Sequence, residues 1–255
     1  MVIRQFGHWL LFVSCILVLG YWCLVMIKAN ISEIFKSIQG EGKYAGVRQV
    51  FVRFYGCNIH CAWCDTPASI GDSGGKFEEY SLRQVLDKVA GLGINCHSVS
   101  LTGGEPMVQS NFLKELLPLI KQTKLKIYLD TNGIFYQELK TIIDDLDIIA
   151  MDIKLPSSTK CQSYWQEHEE FLKEAHKKDV FIKAVISSDT SKGDVVQAAE
   201  LIAKVDRQIL FIIQPNYFDM KNDIVKKCCE FQDYCLQYLS DVRVMPQMHK
   251  FMKVR

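Results

Sequence analysis

The sequence predicts an α/β protein, a partial, open parallel β/α barrel of about six strands. Short apolar runs rich in Val, Ile, Phe and Tyr alternate with longer amphipathic stretches, the rhythm of βαβ units in a parallel sheet. Two of those stretches carry a clear helical stripe. Leu82, Val85, Leu86 and Val89, then Leu113, Leu116, Leu117 and Ile120, recur at i, i+3, i+4 and i+7. The units are too few to close an eightfold barrel. At 255 residues, 49% hydrophobic and 23% charged, the chain suits one large domain and is not disordered. With 30 Lys+Arg against 29 Asp+Glu it lacks the basic surplus of a general nucleic-acid binder, and none is expected as a partner.

The elements follow in order. Residues 5–27 contain no Asp, Glu, Lys or Arg, and the chain is almost wholly apolar from Trp9 to Ile27. As a helix that segment would span roughly 28 Å, nearly a bilayer core. Residues 1–27 therefore read as an apolar leader with three readings. It is a membrane anchor facing the cytoplasm, a cleaved signal, or sequence upstream of a true start at Met26. Residues 28–255 form the barrel domain. Its strands are expected at 49–55, 98–101, 126–129, 148–152, 180–186 and 208–213, with a shorter one at 242–245. Helices are expected at 81–90, 111–121, 136–144, 165–177, 194–203 and 223–239.

In such folds ligands bind at the carboxyl edge of the strands. The residues that follow each strand are Cys57, then Thr102-Gly103-Gly104-Glu105-Pro106, Asp130-Thr131-Asn132-Gly133, Lys154, Gln214-Pro215 and Pro246-Gln247-Met248-His249-Lys250. The polar chemistry is thus expected on one rim.

Ten cysteines are too few for a disulfide scaffold, and three of them, Cys57, Cys61 and Cys64, make a C-x3-C-x2-C loop. Three thiolates on a tight loop can hold three irons of a [4Fe–4S] cluster and leave the fourth iron open. Zinc is the alternative, with His60 as a cramped fourth ligand. A reducing, cytoplasmic compartment suits such a site. Cys96, Cys161, Cys228, Cys229 and Cys235 show no metal spacing, and the last three do not share one helix face.

This spacing, with Trp63 before the last cysteine and Gly103-Gly104-Glu105-Pro106 after the second strand, resembles the radical S-adenosylmethionine superfamily. The resemblance implies that S-adenosylmethionine chelates the open iron and is reductively cleaved to a 5′-deoxyadenosyl radical. Ile31 to Gly42, containing Ser37-Ile38-Gln39-Gly40-Glu41-Gly42, then Gly46, Arg53, Gly56-Cys57, Cys64-Asp65-Thr66 and Pro246-Gln247-Met248-His249-Lys250, are similar to the 7-carboxy-7-deazaguanine synthase family. That family is a radical carbon–nitrogen lyase of queuosine precursor biosynthesis. It converts 6-carboxy-5,6,7,8-tetrahydropterin to 7-carboxy-7-deazaguanine with loss of ammonia. Its cofactors are a [4Fe–4S] cluster, S-adenosylmethionine and Mg²⁺.

The resemblance implies the following roles. Ile38, Gln39 and Gly40 line the pterin, Glu41 is a further candidate, and Arg53 pairs with the substrate carboxylate. The bland reading of Arg53 is an outward arginine on a half-exposed strand. Thr66 is a Mg²⁺ ligand. Trp63, Asp65 and Gly104 approach the cofactor, and Thr102 faces substrate. Thr131, Asn132, Lys154 and Gln214 hold the cofactor, with Lys154 alternatively an ion-pair partner of Asp152. Gln247 and His249 close over the pterin. Asp130 departs from the family's Glu, one methylene short for a direct substrate contact. Hydrogen abstraction falls to the cofactor's radical rather than to a side chain. A flavodoxin or ferredoxin reductant and a homodimer are also implied. Two other readings stand beside this one, a glycyl-radical-enzyme activating enzyme and an iron–sulfur electron-transfer protein tethered to a membrane by residues 1–27.

Overall fold

The structure is a computed structural model that describes residues 27–71, 74–221 and 223–254. The expectations for the leader fall on residues 1–26, outside those described, and only Ile27 of it is seen. Among the described residues no helix is long and apolar enough to cross a membrane.

One open nine-stranded sheet carries the chain, in the order β3-β1-β2-β4-β5-β6-β7-β8-β9. The parallel run is β2 (Arg48–Phe54), β4 (Ser98–Gly103), β5 (Lys126–Thr131), β6 (Ile148–Asp152), β7 (Asp179–Ile186), β8 (Phe211–Pro215) and β9 (Val242–Val244). Two strands beyond those expected, β1 (Lys28–Ile38) and β3 (Glu78–Ser81), extend the sheet antiparallel at its first edge. A register shift between Ile31 and Glu33 breaks the alternation of β1, which hides the strand from a period-two reading.

The helices are α1 (Leu82–Leu92), α2 (Ser110–Lys121), α3 (Tyr136–Ile142), the one-turn α4 (Pro156–Thr159), α5 (Trp165–Ala175), α6 (Lys192–Val205), α7 (Ile224–Cys235) and the short α8 (Met248–Met252). The helix expected at 223–239 stops at Cys235, and the strand expected at 208–213 begins later and runs to Pro215. Ser81 starts α1 with a full capping box, its hydroxyl accepting from the Gln84 N–H.

Strand alternation divides the side chains between two faces. Val50, Val52 and Phe54 of β2, Val99 and Leu101 of β4, and Ile149 and Met151 of β6 point into a core shared with Val85, Leu113, Leu117, Leu139 and Phe171 of the helices. The inward face is apolar near the amino ends of the strands, where Tyr128, Ile148, Ala150, Phe181 and Ile212 pack together. Nearer the carboxyl ends it turns polar, with Thr102, Asp130, Asp152, Lys183 and Gln214 lining a cavity. The loop between β1 and β2 folds into the barrel. Tyr44 sits edge-on to Tyr128, near Phe181, and its phenol donates to Asp179 at the start of β7.

Candidate functional site

The cavity holds about 340 Å³, in the range of small-molecule clefts. All the site residues expected from sequence line it, from Ile38, Gln39, Gly40 and Glu41 to Gln214, Gln247 and His249. They do not all arrive from one rim. Ile38 pairs with Arg48 at the amino end of β2, so the segment carrying Gln39 to Glu41 enters from the end opposite the cysteines. The cause is the antiparallel β1.

The cysteine loop leaves β2 and is fixed by backbone bonds. Gly56 N–H donates to Ser69 O at 2.8 Å, Cys57 N–H to Ile70 O at 2.9 Å and Ala62 N–H to Thr159 O at 2.9 Å. Trp63 Nε1 donates to Ser158 Oγ at 2.9 Å, anchoring the ring to α4. Cys57, Cys61 and Cys64 all face the cavity, together with Thr66. Burial pushes the Cys57 thiol up and the Cys61 thiol to about 12, so a bound metal must displace those protons. Cys161 lies against the same loop, its thiol 3.3 Å from His60 O, a proximity that nothing in the sequence signals. Cys228 and Cys235 are buried in the core and Cys229 is exposed, so these three do not meet.

Beside this loop the end of β4 packs closely on the exit from β2. A Cβ on Gly104 would lie 2.3 Å from Gly56 O and 2.6 Å from Ser69 O, so only glycine fits. Glu105 is wholly buried and accepts from Met107 N–H at 3.0 Å, Thr131 Oγ1 at 2.9 Å and Asn132 N–H at 2.7 Å. Burial raises its pKa to about 7 against those bonds. It ties the exits of β4 and β5 together, a role its place in the motif does not reveal. Asn132 Nδ2 donates to Asn58 Oδ1 at 2.7 Å, leaving Asn132 Oδ1 buried without a partner, as is Gln214 Oε1. His168, from α5, lies 3.1 Å from Asn132 O through Nε2. Lys154 is 2.7 Å from Asp152 and its ammonium stands 5.2 Å from the centre of the Trp63 ring. Burial alone would lower its pKa, but Asp152 and Cys61 hold it above the usual lysine value. The ion pair with Asp152 and a place in the cavity are therefore both present.

The facing wall comes from β1, β2, β7 and the C-terminal segment. Arg53 points inward, its Nε donating to Glu33 Oε1 at 2.9 Å and its guanidinium 5.8 Å from the centre of the Phe35 ring. The outward reading of Arg53 is thereby overturned. Phe35 and Phe51 stack at 5.1 Å and both line the cavity. Gln39 is nearly buried, its Oε1 accepting from Glu41 N–H at 3.1 Å and its Nε2 donating to Gln49 Oε1 at 3.0 Å. Its side chain is thus engaged in shaping the loop. Gln247 Nε2 donates to Glu41 Oε1 at 2.7 Å and to Asp65 Oδ2 at 3.1 Å, and Lys250 lies 3.3 Å from Asp65. Asp65 therefore faces the C-terminal segment as well as following the last cysteine. Gly40 is pressed against His249, where a Cβ would lie 2.4 Å from Nδ1. Burial would raise the Glu41 pKa, but Lys183 and the Gln247 amide bring it down to about 2. Lys183 was not singled out by sequence. The usable signal is the one that marks Arg53, a charge inside an apolar strand.

The donor chemistry fits the implied cofactors. Three soft thiols share one loop, and two buried acceptors without partners face the same space. Ligand atoms of Glu41, Asp65 and His249 lie within 4.8 Å of one another beside Thr66, an oxygen-rich corner, although Lys183 and Lys250 already lie against the two carboxylates.

Comparison with known proteins agrees with this geometry. The Radical SAM superfamily pattern matches residues 51–202, and the chain is a radical S-adenosylmethionine protein. It is 38% identical over 244 residues to the 7-carboxy-7-deazaguanine synthase of Geobacter sulfurreducens, covering 88% of this chain and 97% of that protein. It is 32% identical to the enzyme of the same name from Methanocaldococcus jannaschii, covering 87% and 98%. The chain belongs to the 7-carboxy-7-deazaguanine synthase family. In fold it is similar to the crystal structure of QueE from Escherichia coli, with a TM-score of 0.63 at 21% identity over 90% of this chain and 98% of that one.

Proposed function

We propose that this protein converts 6-carboxy-5,6,7,8-tetrahydropterin to 7-carboxy-7-deazaguanine by radical ring contraction with loss of ammonia, a step towards queuosine. The observation that supports this most is the meeting, in one cavity, of the three-thiol loop with the inward Arg53 and Glu41, in a chain of this family. When bound at Cys57, Cys61 and Cys64, the [4Fe–4S] cluster with S-adenosylmethionine supplies the hydrogen-abstracting radical.

The side chains bind and orient. Arg53 pairs with the substrate carboxylate, and the stacked Phe35 and Phe51 give a flat apolar wall next to it. Glu41, braced by Gln247, accepts from the donor edge of the pterin, with His249 and Thr102 beside it and Gln39 holding the loop. Gly104, Thr131, Asn132, Lys154 and Gln214 bound the side that receives S-adenosylmethionine, next to Trp63 and Asp65. Thr66 would offer a hydroxyl to Mg²⁺, and the ion would supply positive charge for the substrate carboxylate. A flavodoxin or ferredoxin supplies the electron, two copies make a homodimer, and the cytoplasm supplies the reducing medium. The similar relatives named above carry the name of this one enzyme, which favours this reading over a glycyl-radical-enzyme activating enzyme, and the tethered reading falls on residues outside those described.

The test is an anaerobic assay of the reconstituted full chain with S-adenosylmethionine, dithionite, Mg²⁺ and 6-carboxytetrahydropterin, read by mass spectrometry. A 7-carboxy-7-deazaguanine peak is expected. Deoxyadenosine without that product would keep the radical chemistry and overturn the substrate.

A further inference from the structure

Lys183 lies in β7 with its side chain only 4% exposed. Its Nζ donates to Glu41 Oε2 at 2.9 Å and to Asp130 Oδ1 at 3.1 Å, and Asp152 Oδ1 lies 3.8 Å away. Burying an ammonium costs several kcal/mol of hydration, and one carboxylate would neutralise it. Three are present; Lys154 pairs with Asp152 at 2.7 Å, so Lys183 is left to serve both Glu41 and Asp130. The acids also come from separate places. Glu41 is on the loop folded in from the amino end, Asp130 is in β5 and Asp152 ends β6. Glu41 and Asp130 are each held at both oxygens, once by Lys183 and once by a neutral donor. That donor is Gln247 Nε2 at 2.7 Å for Glu41 and Thr102 Oγ1 at 3.2 Å for Asp130.

We propose that Lys183 is a positioning residue that fixes Glu41 and Asp130 as a rigid pair of acceptors for the donor-rich edge of the pterin. The proposal rests on the pterin reading above. Two carboxylates facing one small cavity repel each other, and without a cation between them one swings away or takes a proton. The ammonium opposes both outcomes and joins the two carboxylates through direct hydrogen bonds before substrate arrives, so less ordering is left to binding. Lys183 thus acts through the acids. This also gives Asp130 a function despite its short side chain, because the clamp holds its carboxylate in place.

The test is a double-mutant cycle on the reconstituted holoenzyme with Lys183→Gln, Glu41→Gln and the double variant. Iron content and melting temperature are checked for each. Lys183→Gln is expected to raise KM for 6-carboxytetrahydropterin about 10- to 30-fold while kcat falls less than about threefold. In the Glu41→Gln background the same change should add less than about threefold. A Lys183→Gln KM within twofold of wild type, or full multiplication of the two effects, overturns the proposal. If Lys183→Gln does not fold, the cycle of Glu41→Gln with Asp130→Asn replaces it, and independent effects there overturn the clamp. Failure of the wild type to turn over the pterin overturns the functional reading instead, whatever the variants do.

Discussion

The two walls of the cavity are held by different forces. The wall bearing the cysteines is fastened mainly by short backbone bonds and close packing, such as Gly56 N–H to Ser69 O and Gly104 against Gly56. The facing wall is fastened by charged and polar side chains that bridge long stretches of chain, 142 positions from Glu41 to Lys183 and 206 from Glu41 to Gln247. A backbone frame keeps its shape whatever the protonation of its neighbours. A side-chain clamp keeps its shape only while its charges are right. The cofactor wall should therefore respond to substitution mostly in metal loading and stability, and the substrate wall mostly in KM.

The largest expected effect is on the first wall. Cys61→Ala should lose all product and most bound iron, and normal turnover in that variant would break the division. Next is Glu105, a buried acid inside that frame, studied in the metal-free protein. Glu105 has a folded pKa of about 7 against 4.5 unfolded, so the fold keeps a proton that the unfolded chain has released. Stability is then highest below the unfolded value and falls as pH rises through about 7, by about 3 kcal/mol in total. Urea unfolding at several pH values should show this slope, and Glu105→Gln should flatten it. A slope unchanged in the variant would assign it to another group.

On the second wall, Arg53→Ala should raise KM about 30-fold, corresponding to about 2 kcal/mol for a lost charged hydrogen-bond pair, with iron content unchanged. An unaltered KM would remove Arg53 from substrate contact. The smallest effect is expected of Gly40→Ala, whose methyl would meet His249 at 2.4 Å. Pushing α8 outward should raise KM several-fold, about 1 kcal/mol, and leave the melting temperature of the sheet almost unmoved. A drop in iron loading instead would show the two walls to be mechanically joined.

The same division explains what was legible in the sequence. Strand 148–152 could be read as a short apolar run buried on both faces, and the stripes of α1 and α2 because each buries one face with a regular period. The cysteine loop could be read because its three thiols fall within eight residues, and Gly104 because it stands in a Gly-Gly-Glu-Pro run; in both, the local spacing carries the chemistry. Strand β1 was hidden by its register shift, and the role of Lys183 by partners 53 and 142 positions away. Tertiary charge pairing leaves no local period. Glu105 stood in plain sight, but its role depends on Thr131 and Asn132, which only the parallel pairing of β4 with β5 brings within reach.

The C-terminal segment closes on a loop from the start of the domain, with Met248 N–H donating to Gly40 O at 2.8 Å and Gln247 joining Glu41 to Asp65. During translation, all three cluster thiols leave the ribosome well before Lys183, and Lys183 well before Gln247. A nascent chain thus possesses its three thiols while the Glu41 carboxylate still has neither partner, and the clamp on Glu41 is complete only once the C-terminal segment has emerged.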